Sequence, residues 1–309
     1  MKLNKSTKIF LAGHKGMVGS ASLRVLQGQG YLNLLTATSK ELDLTDQASV
    51  NLFFEKYKPE VVILCAAKVG GIQANIDNPA TFLLDNLQIQ NNVMTASLQN
   101  DVKQFVFLGS SCIYPKECPQ PMKEGYLLTG ALESTNEGYA LAKIAGIKLL
   151  QGFKRQYGFS SITLIPCNLY GPNDSFDLTK SHVLSALVKR FVDAHTLQSP
   201  TITLWGTGTA QREFMHVDDM ARAILFMLEK NGDHVIMNIG SGVDISIHEL
   251  AEKIATLTGY TGKILWDHSK PDGMLKKCMD VNKMESLGFK PVMTLNAGIE
   301  HMISIYKGL

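Results

Sequence analysis

Short apolar runs alternating with amphipathic helical stretches, a glycine loop joining the first run to the first helix, and a change of rhythm after Pro166 predict an α/β chain. Strands separated by helices imply parallel crossovers, hence a doubly wound parallel sheet of the Rossmann type followed by a smaller α/β domain. The predicted boundaries are 1–165 for the first domain and 166–309 for the second, with a stretch at about 210–240 returning to the first domain's sheet.

Residues 8–12 read as a buried strand that stops at Gly13, and a helix follows the glycine loop to about Gln27. The next strands are 32–36 and 61–64, with 47–57 helical between them. Residues 80–99 form a longer helix, 105–108 a strand, 139–156 a second long helix, and 162–165 a further strand. Beyond Pro166 come a polar loop at 173–180, a helix from His182 to about Ala194, turns at Pro200 and 206–208, a helix at 217–229 and a strand at 235–238.

Composition narrows the function classes. Thirty basic against 28 acidic residues give no reason to expect nucleic acid, and 45% hydrophobic residues across 309 positions are ample for a packed core. The polar, basic start and the short run 9–12 fit neither a signal peptide nor a membrane span. Five scattered cysteines without Cys-x-x-Cys spacing point to a reducing cytoplasm and no metal.

Gly13-His14-Lys15-Gly16-Met17-Val18-Gly19 places glycines where a tight turn, the approach of a pyrophosphate and close helix packing need them. The helix amino terminus adds unpaired N–H groups and a positive dipole end. After the second strand the residues are Thr36-Ala37-Thr38-Ser39-Lys40, where an NAD-selective site usually carries an acid for the ribose. Lys15 and Lys40 could meet a 2'-phosphate there, with Ser39 donating a hydrogen bond, which favours NADP. Asp43 could cap the next helix or approach the adenine.

Tyr139 and Lys143 stand about one helical turn apart and project from one face. An adjacent cation favours a phenolate, so Lys143 can tune Tyr139 as proton donor to a carbonyl that receives hydride. An amphipathic helix with a core Tyr and an exposed Lys has the same spacing.

At Leu108-Gly109-Ser110-Ser111-Cys112-Ile113-Tyr114-Pro115 the chain resembles the GDP-L-fucose synthase family, epimerase-reductases of the extended short-chain dehydrogenase type. Further matching stretches are 12–20, 66–72, 139–146, 168–172, 181–183, 212–220 and 269–273, so the resemblance covers nearly the whole chain. It implies inversion of C3 and C5 in GDP-4-keto-6-deoxy-D-mannose, followed by NADPH-dependent reduction at C4. By resemblance Cys112 is the base and His182 the acid, Tyr139 protonates O4, Ser110 binds the carbonyl, and Lys143 holds the nicotinamide ribose. Leu108, Gly109, Ser111, Pro166, Cys167, Asn168, Leu169 and His182 join the glycine loop, Ser39, Lys40 and Lys143 around the cofactor. Arg190, Trp205, Arg212, Asp272 and Lys277 are implied for the nucleotide sugar. Arg forks suit diphosphate oxygens and a Trp offers a flat face, although either Arg could be a structural ion pair and Trp205 could be core.

The chain departs from familiar bacterial members in having Lys15 and Ser39 where they have Arg, and Gly138 where Pro is common. Each Arg replaced loses a planar fork, which weakens the case for tight NADP selectivity. The resemblance also implies a homodimer through paired long helices. Rival readings are the same chemistry on a related GDP-4-keto sugar such as a deoxyheptose, a C4 reductase without epimerisation, and a silent NADP-binding sensor. Intact Ser110, Cys112, Tyr139, Lys143 and His182 count against the last two.

Overall fold

A computed structural model describes residues 3–178, 181–230, 235–270 and 272–308. The chain opens with β1 (Ile9–Ala12), α1 (Met17–Gly28), β2 (Leu34–Leu35), α2 (Gln47–Tyr57), β3 (Val61–Leu64), α3 (Ile72–Asp77), α4 (Pro79–Gln99), β4 (Gln104–Leu108), α5 (Glu137–Tyr157) and β5 (Ser161–Pro166). It continues through β6 (Asn168–Tyr170), α6 (Val183–Thr196), β7 (Thr201–Trp205), β8 (Gln211–His216), α7 (Val217–Glu229) and β9 (Val235–Ile239). The remaining elements are β10 (Asp244–Ser246), α8 (Ile247–Thr258), β11 (Lys263–Asp267), β12 (Lys276–Lys277), α9 (Asn282–Ser286) and α10 (Leu295–Lys307).

Six strands form a parallel sheet in the order β2-β1-β3-β4-β5-β9. Every residue of β1, β3 and β4 is buried, as a sheet covered on both faces requires, which is why these strands read as continuous apolar runs. The predicted strand at 32–36 shrinks to two paired residues because it lies at the sheet edge, with Leu32 84% exposed. Helix α4 packs along α5 and α1 along α7. The chain leaves β1 for β2 and crosses back to β3, so the switch point lies between the carboxyl ends of β1 and β3, where such sheets hold their ligands.

The later segments build a second core from Leu184, Val188, Phe191, Leu250, Ile254, Ile299 and Met302 on α6, α8 and α10. Strand β8 pairs with β10, β12 and β6, while β7 pairs with β11. Strand β9 nevertheless joins the main sheet, with Ile162 opposite Val235 and Pro166 opposite Ile239. Among the described residues no helix is long and apolar enough to cross a membrane.

Candidate active site

Gly13 adopts φ +85°, and a Cβ there would lie 2.6 Å from the Ala66 amide nitrogen just past β3. At Gly19 a Cβ would lie 2.1 Å from the Gly13 carbonyl oxygen, so this glycine lets α1 close onto the loop. Gly16 caps α1 without a side chain and the first turn carries no acid, which leaves an uncompensated positive end at the switch point. Met17 and Val18 turn partly into the core, and the half-buried His14 has a buried Nδ1 without a partner among the described residues. Lys15, Ser39 and Lys40 are exposed. An acid does stand one residue past Lys40: Glu41 accepts the Thr38 N–H at 2.8 Å. That bond, aided by Lys15 and His14, holds its carboxyl below the ordinary value.

Leu108 ends β4, Gly109 donates its N–H to the Leu164 carbonyl at 2.8 Å, and Ser110 caps the single turn Ser111–Ile113 by accepting the Cys112 N–H at 3.4 Å. Ser111 and Cys112 are both buried. On α5 the Lys143 ammonium lies 5.6 Å from the centre of the Tyr139 ring and 4.8 Å from that of Phe107, and Lys143 is only 4% exposed. Burial drives the Lys143 ammonium down to about 8 against the opposing pull of Cys112 and Cys65. Burial likewise pushes the Tyr139 phenol up, with Cys112 adding to the rise. It raises the Cys112 thiol against the field of Lys277 and Lys143. Helical spacing alone predicts a phenol lowered by Lys143. The structure gives the opposite direction, because desolvation penalises the charged phenolate and Cys112 adds to the rise, while at the thiol desolvation outweighs the field of Lys277 and Lys143. Gly138 has a packing reason, since a Cβ would lie 2.8 Å from the Pro79 carbonyl oxygen at the start of α4.

Pro166 ends β5, and the buried Cys167 donates its N–H to the Ile239 carbonyl at 2.9 Å. Asn168 donates its side-chain N–H to the Glu213 carbonyl at 2.7 Å, and the half-buried Leu169 stands opposite Met215, which fixes β6 to β8.

His182 precedes α6 with a 45% exposed side chain, and its Nδ1 lies 3.5 Å from Asp174. Arg190 donates to the Thr203 carbonyl at 3.2 Å, and Arg212 to the carbonyls of Gln211 at 2.8 Å and Asp272 at 3.3 Å. Both guanidinium groups thus hydrogen-bond backbone rather than a carboxylate among the described residues. Trp205 is 65% exposed with the Lys270 ammonium 5.5 Å above its ring, so it is not core. The Asp272 carboxylate accepts the Thr207 N–H at 2.7 Å and hydroxyl at 2.8 Å, which pins the 206–208 turn. Within the polar loop 173–180 and the segment 269–273, Thr179, Lys180 and Pro271 lie outside the described residues.

Lys277 is half-buried on β12 opposite Arg212, and burial together with Arg212 holds its ammonium below the ordinary value. Its strand is tied to the loop that follows Cys112. Cys278 donates its N–H to Gln120 at 3.0 Å, and its carbonyl accepts the Met122 N–H at 2.8 Å. Glu213, fully buried, accepts the N–H groups of Met279 at 2.7 Å and Gly242 at 2.8 Å. The structure gathers Cys112, Tyr139, Lys143 and Lys277 into one electrostatic cluster, while His182 lies against Asp174 instead, 3.5 Å from its carboxylate. Sequence reasoning missed Glu213 and Asp174 as organising groups, because Glu213 follows Gln211 and Arg212 in a strand whose start reads as polar, and its burial comes only from the segments folded over it.

Residues 9–240, from the start of β1 through β9, match the NAD dependent epimerase/dehydratase family. The chain belongs to this family. GDP-L-fucose synthase 1 of Arabidopsis thaliana is 51% identical over 303 residues, covering 98% of this chain and 94% of the relative. GDP-L-fucose synthase of Escherichia coli K12 is 47% identical over 301 residues, covering 94% of each. The solved GDP-mannoheptose C4 reductase of Campylobacter jejuni with NADP bound superposes with a TM-score of 0.91 at 35% identity, covering 99% of each chain. The family match spans the glycine loop and, of the cluster, Cys112, Tyr139 and Lys143.

Proposed function

We propose that this chain converts GDP-4-keto-6-deoxy-D-mannose to GDP-L-fucose by inverting C3 and C5 and then reducing the C4 ketone with NADPH. The observation that carries the reading is a buried thiol, Cys112, set beside Tyr139 and Lys143. Kinship with the two synthases supports the substrate, and the NADP-bound reductase supports the cofactor. Lys15, Lys40 and Ser39 would meet the 2'-phosphate, and the glycine loop the pyrophosphate.

The 4-keto group acidifies the hydrogens on C3 and C5, because loss of either gives an enolate with its charge on O4. Cys112 takes the proton, with Lys277 and Lys143 supplying the positive field that supports the thiolate. His182 returns a proton to the opposite face, which inverts the carbon. Ser110 and Tyr139 hold O4 through both inversions, so one oxyanion site serves epimerisation and reduction. Bound NADPH, held by the glycine loop with Lys143 on its nicotinamide ribose, would supply the hydride to C4, and Tyr139 would give O4 its proton. Arg190, Arg212, Trp205 and Lys277 face the nucleotide sugar, with Asp272 beside them pinning the 206–208 turn that follows Trp205.

We divide the chain into a cofactor domain, 1–165 with the return at about 210–240, and a substrate domain from 166, and place the enzyme in the cytoplasm, where its five cysteines stay free. A homodimer would cover the groove between α4 and α5, lined by Leu87, Ala145, Leu149 and Phe153, with Leu84 and Tyr157 exposed on the same two helices. Leu149→Arg should then give a monomer in sedimentation.

The test is incubation with NADPH and the keto sugar in deuterated water. NADPH oxidation with deuterium at both C3 and C5 of GDP-L-fucose supports the reading, and Cys112→Ser and His182→Gln should suppress that exchange. Oxidation without exchange makes the protein a plain C4 reductase.

A further inference from the structure

We propose that Asp174 is a positioning residue for His182, fixing the ring tautomer and orientation with which that imidazole delivers its proton. The inference rests on the acid role given to His182 above.

His182 stands before α6 with an extended backbone and a largely exposed ring, so nothing in its own helix would hold the imidazole still. Asp174 supplies the restraint. Its side chain is only 5% exposed, and its Oδ1 lies 3.5 Å from His182 Nδ1, within ion-pair range. The same oxygen accepts the Ser175 N–H at 2.8 Å, and Oδ2 accepts the hydroxyl of Ser185, a fully buried residue in the first turn of α6. Ser185 therefore ties the carboxylate to the helix that His182 caps.

The loop bearing Asp174 is itself clamped. Gly171 runs so close to α7 that a Cβ would lie 2.4 Å from Val217, and Asp174 donates its N–H to the Gly171 carbonyl at 3.1 Å. Asn173, at φ +68°, donates to Ser20 on α1 at 2.8 Å. The carboxylate is thus placed relative to both the cofactor helix and α6.

A carboxylate on Nδ1 selects the tautomer that carries hydrogen there, which leaves Nε2 to exchange with substrate. In the delivery step the Nε2–H bond breaks, the enolate electron pair forms the new C–H bond, and the ring is left neutral with hydrogen on Nδ1. Without the carboxylate the two tautomers and several ring orientations compete.

The test uses the full-length chain with ring-labelled histidine. NMR of the neutral His182 ring should show hydrogen on Nδ1 in the wild type and loss of that preference in Asp174→Asn. The rate of forming inverted product should fall at least ~10-fold, part of the ~10² to 10⁴ that positioned proton transfer supplies, with the KM for the sugar little changed. Ser185→Ala, which frees Oδ2 but keeps the charge, should shift both readouts in the same direction to a smaller extent. A wild-type ring with hydrogen on Nε2, an unchanged tautomer in Asp174→Asn, or a raised KM at unchanged turnover would overturn the proposal. If the wild type forms no inverted product, the acid role fails, while the tautomer still reports on the Asp174 contact.

Discussion

Replacing Lys143 by Met removes a cation that folding has driven into the interior. The ammonium falls from an ordinary 10.5 to about 8, and at about 1.4 kcal/mol per pH unit that gap is worth about 3 kcal/mol of destabilisation while the group stays charged. Its position near the Phe107 and Tyr139 rings returns some of that, on the order of 1 kcal/mol. The cofactor-free Lys143→Met protein should therefore unfold in urea with about 1–3 kcal/mol more stability than the wild type at neutral pH, and with turnover reduced by about 10²-fold or more. The sign of the pH dependence follows from the direction of the shift. Below about 8 both folded and unfolded wild type hold the proton and the penalty is complete. Between there and 10.5 the unfolded chain binds more protons than the folded one, so wild-type stability rises with pH and the gap to the variant closes. A stability difference that stays flat from neutral to strongly alkaline pH, or a variant less stable than wild type at neutral pH, would refute the reasoning.

Gly13→Ala should cost more than about 2 kcal/mol and abolish measurable cofactor binding by fluorescence titration, because a positive φ and a backbone neighbour at 2.6 Å leave no room for a methyl group. Gly138→Ala, which helix propensity alone would favour by about 1 kcal/mol, should instead lower the melting temperature, since its Cβ would press on the Pro79 carbonyl oxygen. Glu213→Ala should cost about 3 kcal/mol or more in urea unfolding by stranding the N–H groups of Gly242 and Met279. Burial raises the Glu213 carboxyl above its ordinary 4.5, so the wild type's margin over Glu213→Gln should be greatest in acid and shrink as the pH rises through the folded value. A margin that grows toward neutral pH would contradict that sign.

Much of the fold was legible because its signals are local. The runs in β1, β3 and β4 are apolar throughout since both faces of a parallel sheet are covered, and helices such as α2 and α7 carry clear amphipathic periods. The glycine loop was equally plain, because only glycine fits Gly13 and Gly19. Less legible were short strands such as β6, β10 and β12, whose two or three residues exist only through pairing with β8.

The sequence by itself determined the doubly wound sheet, the cradle at its switch point and the Tyr139 and Lys143 pair, properties carried by residue identity and short spacing, while Ser110, Cys112 and His182 were singled out by family resemblance. The tertiary structure alone decided their electrostatics and partners. It buried Lys143 until its proton is weakly held, raised Cys112 despite nearby cations and Tyr139 by burial, and set Asp174 against His182. Desolvation and through-space contact depend on which distant segments fold over a group, and no local pattern contains that information.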